Sequence, residues 1–475
     1  MKLKLLFIFS FVFVSFSFSQ EAQRKGTHQQ QLEEYGTIKN KTYSTKIQNT
    51  PIIPLQSRST NTLDKIVFGF LPYWEYSNGA NSNMHYDLLS HIALFNFTAS
   101  SSGALTNPSG WPWTDVINAA HTNGTKAIMV VNNFNQSQIH TLLTNTTAKN
   151  TLFANIKSTI STYQLDGVNI DFEGLSTSDR GAVVNSFMLQ LTNYIHANLP
   201  GKEVSFDGPA VNWSGWDLNG LAASVDYLFI MAYDYNGSWS SYTGAVSPLS
   251  HPSGGICVSK SLNNDYSTAI ANHADKLILG VPYYGKHWKT STSIAGASVS
   301  SYVGSTFYKN TVTEANSHGG SIWNASSQTS WYKWFEASKW NQVWTDTEQS
   351  ISLKYDEAIS KNLAGVGIWA LNYDGNRSEL WTLIETKFTS LGVEDSFIKQ
   401  QISIFPNPAT NSITIQNTNN IDIVDYSLFS ISGQKLILKK PIDNKIDISH
   451  LTTGIYFIKV VDADNHKATF KIIKL

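Results

Sequence analysis

The sequence predicts an α/β fold: a (β/α)8 TIM barrel with a small α+β insertion between its seventh and eighth strands, followed by a small all-β sandwich domain. Three observations indicate this architecture. Eight short β-rich runs alternate with amphipathic helical stretches. An interval rich in Ser, Thr, Gly and Trp separates the last two runs, and a wholly β pattern follows a polar linker. At 475 residues the chain is long enough for more than one domain.

Changes in composition mark the predicted boundaries. In order, the units are a signal peptide (residues 1–19), a polar leader or linker (20–63), the barrel (64–388, with the insertion at about 289–343), a short linker (389–401) and the β-sandwich (402–475). The eight barrel strands are expected at residues 66–71, 91–97, 126–132, 166–173, 203–210, 226–233, 276–283 and 364–371. The leader is polar and contains Pro51 and Pro54, so we expect it to be exposed.

The N-terminus has the three parts of a secretory signal. Lys2 and Lys4 give a positive start, residues 5–14 form an apolar core, and residues 17–19 are a small-residue cleavage site. The core is too short and too interrupted by serine for a stable membrane span, and no later stretch is long enough. We therefore expect export, with no membrane span in the mature chain; a membrane anchor is the less favoured alternative.

Composition argues against several classes of function. The net charge of −1 gives no long-range field that would attract nucleic acid. The single Cys257 cannot form an intramolecular disulfide, and the twelve His residues show no H-x-x-x-H spacing on a convincing helix, so we expect no metal and no cofactor. Fourteen Trp residues are a high count, and exposed indoles are the usual surface for the apolar faces of sugar rings.

The run DGVNIDFE at residues 166–173 carries the strongest functional pattern. Its apolar residues alternate with polar or small ones, which is the period of a β-strand. Asn169, Asp171 and Glu173 therefore share one face, opposite the apolar residues. Because two carboxylates are costly to bury unpaired, that face is expected to line a cleft or the mouth of a barrel.

Two carboxyl groups on one strand face suit general acid catalysis. An ionised Asp171 disfavours ionisation of Glu173, so the pKa of Glu173 should rise and its proton should be available to a leaving oxygen. A solvated acidic edge strand is the common alternative. The apolar reverse face of the run and the absence of Lys or Arg within it argue against an edge strand.

These residues resemble the D-x-x-D-x-D-x-E signature of family 18 glycoside hydrolases, the chitinase-like enzymes. Three further segments resemble family motifs in the expected order: MAYD at residues 231–234, GVPYYG at 280–285 and GIWA at 367–370. The resemblance covers about residues 65–388. It implies a TIM barrel, a hydrolase and a polysaccharide that contains N-acetylglucosamine.

The resemblance also implies roles for individual residues. Glu173 would be the general acid, and Asp171 would orient the substrate's own 2-acetamido group, which attacks the anomeric carbon. Tyr233 would hydrogen-bond the acetamide oxygen, with Asp234 beside it. Trp369 would form the floor beneath the reacting sugar. Further substrate-binding residues are expected at Met231, Tyr284, Tyr73, Phe97, Trp213 and Lys286.

The chain departs from the family pattern at several positions. Asn169 stands where many members have Asp, which removes one charge beside Asp171 and alters its proton sharing. Residues 129–134 lack the common S-x-G-G pattern, and Lys286 replaces a frequent Arg. These departures resemble the branch that contains spore-cortex and peptidoglycan-acting members.

The C-terminal segment resembles a type IX secretion sorting domain. The matching stretches are IFPNPA at residues 404–409, YSLF at 426–429 before Gly433, LTTG at 451–454 and the lysine-bearing end at 471–475. The resemblance implies export through the secretion machinery to the cell surface or medium. A generic carbohydrate-binding or adhesive sandwich is the alternative, but no aromatic platform is evident.

The leading hypothesis is a secreted retaining glycoside hydrolase that cleaves β-1,4 bonds of chitin or a chitin-like N-acetylglucosamine polysaccharide. Two alternatives stay open: a peptidoglycan-acting N-acetylglucosaminidase, and a non-catalytic chitin-binding lectin on the same fold. A silent member would be expected to lack the acid, and Glu173 is present.

Overall fold

The computed structural model describes residues 25–36, 50–58, 63–251, 253–389, 401–417, 422–430, 435–436, 444–463 and 467–475. The predicted signal peptide and most of the 389–401 linker lie outside these residues. Within the described part of the chain, we find no helix with both the length and the apolar character that a membrane crossing requires.

Fourteen strands make up the barrel and its insertion. They are β1 (Ile66–Pro72), β2 (His91–Ala99), β3 (Leu105–Thr106), β4 (Lys126–Asn133), β5 (Gly167–Phe172), β6 (Glu203–Gly208), β7 (Tyr227–Ile230), β8 (Leu277–Pro282), β9 (Tyr284–Thr290), β10 (Val299–Phe307), β11 (Ile322–Asn324), β12 (Thr329–Glu336), β13 (Lys339–Thr345) and β14 (Gly365–Trp369). Eight of them run parallel in the order β1-β2-β4-β5-β6-β7-β8-β14. Because β1 pairs with both β2 and β14, the sheet closes into a barrel, as predicted.

Twelve α-helices are described. They are α1 (Thr27–Tyr35), α2 (Tyr73–Tyr76), α3 (Thr114–Thr122), α4 (Gln136–Thr144), α5 (Thr146–Thr162), α6 (Ala182–Asn198), α7 (Leu218–Ala223), α8 (Val258–Lys260), α9 (Ser267–His273), α10 (Tyr308–Ser317), α11 (Glu348–Ser360) and α12 (Glu379–Phe388). The outward apolar face of β5 packs on this helical layer: the Phe172 ring lies 6.0 Å from that of Phe187 on α6. The polar face of β5 consequently points into the barrel.

The insertion between β8 and β14 is an antiparallel sheet with one helix. Its strand order is β10-β9-β13-β12-β11, and α10 connects β10 to β11. Trp288, Trp331 and Trp344 are buried at its centre, so these indoles build a core and are not surfaces for sugar. The sheet starts at Tyr284, a few residues before the predicted boundary, because β9 follows β8 directly.

The C-terminal region is all β, as predicted. Its strands are β15 (Ile402–Phe405), β16 (Ser412–Asn417), β17 (Ile423–Ser430), β18 (Lys435–Leu436), β19 (Lys445–Asp447), β20 (Gly454–Asp462) and β21 (Lys467–Lys474). They form a three-stranded sheet, β15-β16-β19, and a four-stranded sheet, β18-β17-β20-β21. Ile413, Leu428, Ile446 and Ile458 belong to one buried cluster supplied by both sheets. This region therefore has a hydrophobic core of its own.

The expectation of an exposed leader is wrong for residues 27–35. They form α1, in which Thr27, His28 and Gln31 are buried. The polar composition suggested an unfolded segment because the helix has no apolar stripe. Its most deeply buried side chains are polar and meet polar partners in the mouth of the barrel, while Leu32 and Tyr35 pack against the barrel core.

A buried ion pair fixes the start of α11. Lys354 Nζ contacts Asp346 Oδ1, and both side chains are buried. The same carboxylate oxygen accepts a hydrogen bond from Ser350 Oγ at 2.6 Å. Removing the cation would leave Asp346 buried without a counter-charge.

We expect Lys354→Met to lower the free energy of unfolding by about 3–5 kcal/mol, measured by urea denaturation of the full chain. Lys361→Met is the matched control, because Lys361 pairs with Glu357 at 3.7 Å on the outer end of the same helix and should change stability by less than about 1 kcal/mol. Equal small effects of both substitutions would contradict the assigned importance of the buried pair.

Candidate active site

Strand β5 delivers the predicted acidic residues to the carboxyl end of the barrel. Asn169 and Asp171 are fully buried on its inner face, and Glu173 follows the last strand residue and is 6% exposed. Active sites of TIM barrels lie at this end, so the location agrees with a catalytic role.

A second wall of the mouth comes from the segments after β7 and at the start of β9. The Tyr284 hydroxyl donates to Asp234 Oδ1 at 2.6 Å, and Lys286 Nζ lies 3.3 Å from Asp234 Oδ2. Tyr233 is buried next to this pair. The structure thus brings these four predicted residues together, and Lys286 serves as a buried counter-charge for Asp234.

Trp369 ends β14 and closes the floor of the mouth. Its ring is fully buried and lies 5.6 Å from the ring of Phe70 and 5.0 Å from that of Phe95. Aromatic packing from β1 and β2 therefore fixes the orientation of the indole.

Helix α1 occupies the space above Trp369. The His28 imidazole stacks on the indole with ring centroids 3.7 Å apart and planes inclined by 25°. Its Nδ1 lies 3.0 Å from Asp171 Oδ2, and its Nε2 lies 2.9 Å from the Tyr233 hydroxyl. One small ring therefore touches three of the predicted site residues at once.

Neighbouring residues of α1 contact the rest of the site. The backbone N–H of Gln29 donates to Glu173 Oε2 at 3.2 Å. The side-chain oxygen of Gln31 accepts from Trp369 Nε1 and from the Tyr373 hydroxyl, each at 2.8 Å. The first turn of the helix thus faces a carboxylate, which suits the orientation of a helix dipole.

Asp207 is a site residue that the sequence analysis missed. It is buried near the end of β6, where its Oδ1 accepts a hydrogen bond from Asn169 Nδ2 at 2.9 Å. Its Oδ2 lies 4.0 Å from His28 Nδ1, which also contacts Asp171. The alternation of Ser205 and Asp207 with apolar residues in the predicted strand 203–210 could have identified it.

Burial dominates the electrostatics of these carboxyl groups. It raises the pKa of Glu173 to about 8, and the charge of Asp171 adds to the rise. The sequence analysis named the charge alone, whereas loss of solvent is the larger cause. Burial also raises the pKa of Asp171 and that of Asp207 well above the usual range, and the charge of Asp171 raises that of Asp207 further.

Of the remaining predicted binding residues, Trp213, Met231 and Tyr73 lie at or beside the mouth of the barrel, and Phe97 does not. Trp213 and Met231 line a cavity of about 170 Å³ beside Glu173, and Trp213 is 44% exposed. The Tyr73 hydroxyl donates to the backbone oxygen of Gly36, just after α1. Phe97 does not reach the mouth.

Phe97 packs against Trp111, with ring centroids 4.7 Å apart. A register irregularity between Phe95 and Phe97 interrupts the alternation of β2. Phe97 consequently leaves the face that it would share with Phe95, whose ring lies 5.8 Å from that of His28.

One group of described residues has the geometry to hold a metal ion. Single ligand atoms of His28, Asp171 and Glu173 all lie within 4.8 Å of one another. The imidazole of this group lies 3.0 Å from Asp171 Oδ2 through Nδ1 and 2.9 Å from the Tyr233 hydroxyl through Nε2.

Comparison with known families gives two matches. The model of glycosyl hydrolases family 18 matches residues 29–374, and that of the secretion system C-terminal sorting domain matches residues 403–475. The first match covers well over half of the chain.

Individual relatives have low sequence identity to this chain. Di-N-acetylchitobiase of Homo sapiens is 28% identical over 261 residues, which is 48% of this chain and 65% of the relative. Chitinase A1 of Niallia circulans is 24% identical over 385 residues, covering 71% of this chain and 54% of the relative. The chain thus spans less than two thirds of the length of either protein.

Solved structures agree in fold. A GH18 chitinase mutant from Cycas revoluta in complex with (GlcNAc)4 superposes with a TM-score of 0.59 at 18% identity, covering 68% of this chain and 99% of that one. The Bacillus cereus spore cortex-lytic enzyme SleL gives 0.57 at 19% identity, covering 69% and 75%. With the family match over residues 29–374, this chain belongs to the family 18 glycosyl hydrolases and carries a C-terminal sorting domain of type IX secretion.

Proposed function

We propose that this protein is a secreted retaining glycoside hydrolase that cleaves β-1,4 bonds of chitin-like N-acetylglucosamine polysaccharide by substrate-assisted catalysis. The observation that carries the proposal is the convergence of Asp171, Tyr233 and Trp369 on a space the size of one ring, next to Glu173. An aromatic floor, a hydroxyl and two carboxyl groups are the contacts that an acetamido sugar needs.

Glu173 acts as general acid and then as general base. Burial beneath α1 and the charge of Asp171 raise its pKa. A sugar bound in the place of α1 would also exclude water, so that Glu173 stays protonated and gives its proton to the glycosidic oxygen while the bond to the anomeric carbon breaks. The acetamide oxygen of the substrate forms a bond to that carbon, with Asp171 and Tyr233 positioning the acetamide. Ionised Glu173 then takes a proton from water as the water oxygen attacks the same carbon. The bond between that carbon and the acetamide oxygen breaks, and the original configuration is restored.

Asp207 supplies the carboxyl group that the family pattern places at position 169. Asn169 donates its amide to one Asp207 oxygen, and the other oxygen approaches the His28 nitrogen that contacts Asp171. Two buried carboxyl groups in such proximity share a proton, since both cannot ionise at low cost. We propose that Asp207, on the neighbouring strand, is thereby the proton-sharing partner of Asp171 in the absence of Asp at position 169.

Peptidoglycan strands are the second candidate substrate. They also contain N-acetylglucosamine, and the spore cortex-lytic enzyme from Bacillus cereus shares the fold. A lectin role is less well supported, because Glu173 is present and its pKa is raised. We place the protein outside the cell or on its surface, on the basis of the sorting domain at residues 403–475.

The deciding experiment is a hydrolysis screen against chitin oligomers, peptidoglycan and N-glycans, with product masses and fresh-product anomers read by NMR. The screen uses the full natural chain and the His28→Asp variant. The variant is included because α1 covers the site, and a carboxyl group added beside Asp171 would displace this helix. We expect β-anomeric products from chitin oligomers. In each background Glu173→Gln should reduce kcat by about 10²–10⁴-fold, and initial α-anomer or unchanged hydrolysis by that variant would contradict the mechanism.

Exchanging the Asn169–Asp207 pair tests its proposed role. In the His28→Asp background, Asn169→Asp and Asp207→Asn should each lower kcat/KM by at least about tenfold and shift the acidic limb of its pH profile. The double exchange restores one carboxyl and one amide, so it should recover much of the loss. Asp356→Asn, on the outer surface of α11, is the charge-matched control. Additive losses in the double variant would contradict the exchange.

Removal of residues 402–475 tests the export role. Because this region has its own core, the truncated chain should keep a folded barrel with the kcat/KM of the full chain. In the native host the truncated chain should accumulate in the periplasm, as measured by cell fractionation and immunoblotting. Release of the truncated chain at the normal level would contradict export through this domain.

A further inference from the structure

We propose that residues 25–36 are an autoinhibitory segment: α1 occupies the sugar-binding mouth of the barrel and keeps the enzyme latent until this segment is displaced or removed. The inference rests on the proposed function, which places the reacting sugar on Trp369. It adds an internal ligand for that site, and the ligand is a peptide of the same chain.

His28 and a sugar cannot occupy the face of Trp369 at the same time. His28 stacks on the Trp369 face at 3.7 Å between centroids, and both rings are fully buried. Ring separation this small leaves no room for a sugar between them. A sugar can therefore reach Trp369 only after His28 has moved.

The side chains that α1 buries most deeply are polar. They are Thr27, His28 and Gln31, whereas a helix that serves only as core packing would bury an apolar stripe. Leu32 and Tyr35, nearer the end of the helix, pack against the barrel core. The polar side chains meet donors and acceptors of the site, including Tyr233 and Trp369. The helix thus uses hydrogen-bonding groups and an aromatic surface that a polar ring ligand would use.

Helix α1 also covers Glu173. The helix begins directly against this carboxyl group, and the Gln29 N–H donates to it. While this contact lasts, the acid is hydrogen-bonded to a peptide and is shielded from a glycosidic oxygen. Latency thus has two sources: the binding site is filled and the general acid is covered.

Contacts with the barrel and with the inserted sheet hold α1 in place. A nine-residue helix is marginal in water by itself, so its order depends on the barrel. At its far end the Tyr35 hydroxyl donates to the Ser305 backbone oxygen at 3.1 Å, and the Ser305 N–H donates to Glu34 Oε1 at 3.0 Å. Ser305 belongs to β10, so the inserted sheet holds the outer end of α1. A tether also raises the local concentration of the segment to the millimolar range, which favours occupancy.

Release of α1 need not unfold the barrel. Beyond α1 the chain is fixed again on the barrel wall, where the Ile53 N–H donates to Asn118 Oδ1 at 2.8 Å and the Gln56 N–H donates to the backbone oxygen of His121 at 3.0 Å. These contacts are independent of the mouth. A cut or a pull between the two attachments would free α1 and leave the barrel strands paired.

The test displaces α1 within the full chain. His28→Asp puts a further carboxyl group against Asp171 and Asp207, and Gly26→Val makes a side chain overlap the Glu173 carboxylate. Each should raise kcat/KM on chitotetraose at least about tenfold, because apparent affinity scales with the open fraction. Glu33→Ala, at an exposed position of the same helix, should leave kcat/KM unchanged. All samples contain EDTA, so that a metal at His28, Asp171 and Glu173 makes no contribution.

A binding measurement separates this inference from the proposed function. In a Glu173→Gln background, chitotetraose titrated calorimetrically should bind at least about tenfold more tightly when His28→Asp or Gly26→Val is present. Tighter binding in the absence of hydrolysis by the variants that keep Glu173 would support occlusion of the sugar site by α1 and would overturn the enzyme proposal. Equal affinity and equal kcat/KM with and without the two substitutions would overturn autoinhibition. Circular dichroism and thermal unfolding establish that each variant is folded, and either substitution alone suffices for the comparison.

Discussion

Carboxyl groups held away from water are the constraint on which this site depends. Strand β5 and its neighbour β6 place Asp171 and Asp207 inside a closed barrel, with Glu173 at the rim, and all three are buried. Ionisation is costly there, so the pKa of each group is raised. The same burial that would destabilise an ordinary pair of carboxylates keeps a proton on Glu173 near neutral pH. The raised pKa of Glu173 and the stability cost of the site therefore have one physical origin.

The surroundings of these carboxyl groups reduce that cost with neutral donors. Asn169 gives its amide to Asp207, and the first turn of α1 gives a backbone N–H to Glu173. A neutral amide stabilises a carboxylate without adding a permanent positive charge that would force both acids to ionise. Lys286, the buried cation of this wall, is paired with Asp234 instead. This separation of roles explains how Asn at position 169 can be compatible with an acid–base site.

The insertion and the N-terminal helix form one functional arrangement. β9 contributes Tyr284 and Lys286 to the wall of the mouth, and β10 contacts the end of α1 at Ser305. The inserted sheet thus shapes the cleft and, under our proposal, stabilises the segment that fills it. The peptide hydrogen-bonds Tyr233, Glu173 and Trp369, so these three groups have partners while it covers them.

Local patterns in the sequence determined the barrel, the inward face of β5 and the β-rich C-terminal domain, because strand alternation and turn residues act over a few positions. The residues of the motifs around Glu173, Tyr233 and Trp369 were identified by resemblance to family 18 motifs, each of which is contiguous in the sequence. Only the tertiary structure decided what lies opposite them. Asp207 becomes a partner of Asn169 through strand pairing, and the register irregularity in β2 turns Phe97 away from the face that Phe95 presents to the site.

The N-terminal helix shows the same limit most clearly. Residues 27–35 have no apolar periodicity, so local reasoning could assign them only to an exposed leader. Their helix forms against groups that lie far away in the chain: His28 and Tyr233 are separated by 205 positions. A contact of that kind depends on closure of the barrel and on complementarity of polar groups, and neither property is encoded in the segment alone.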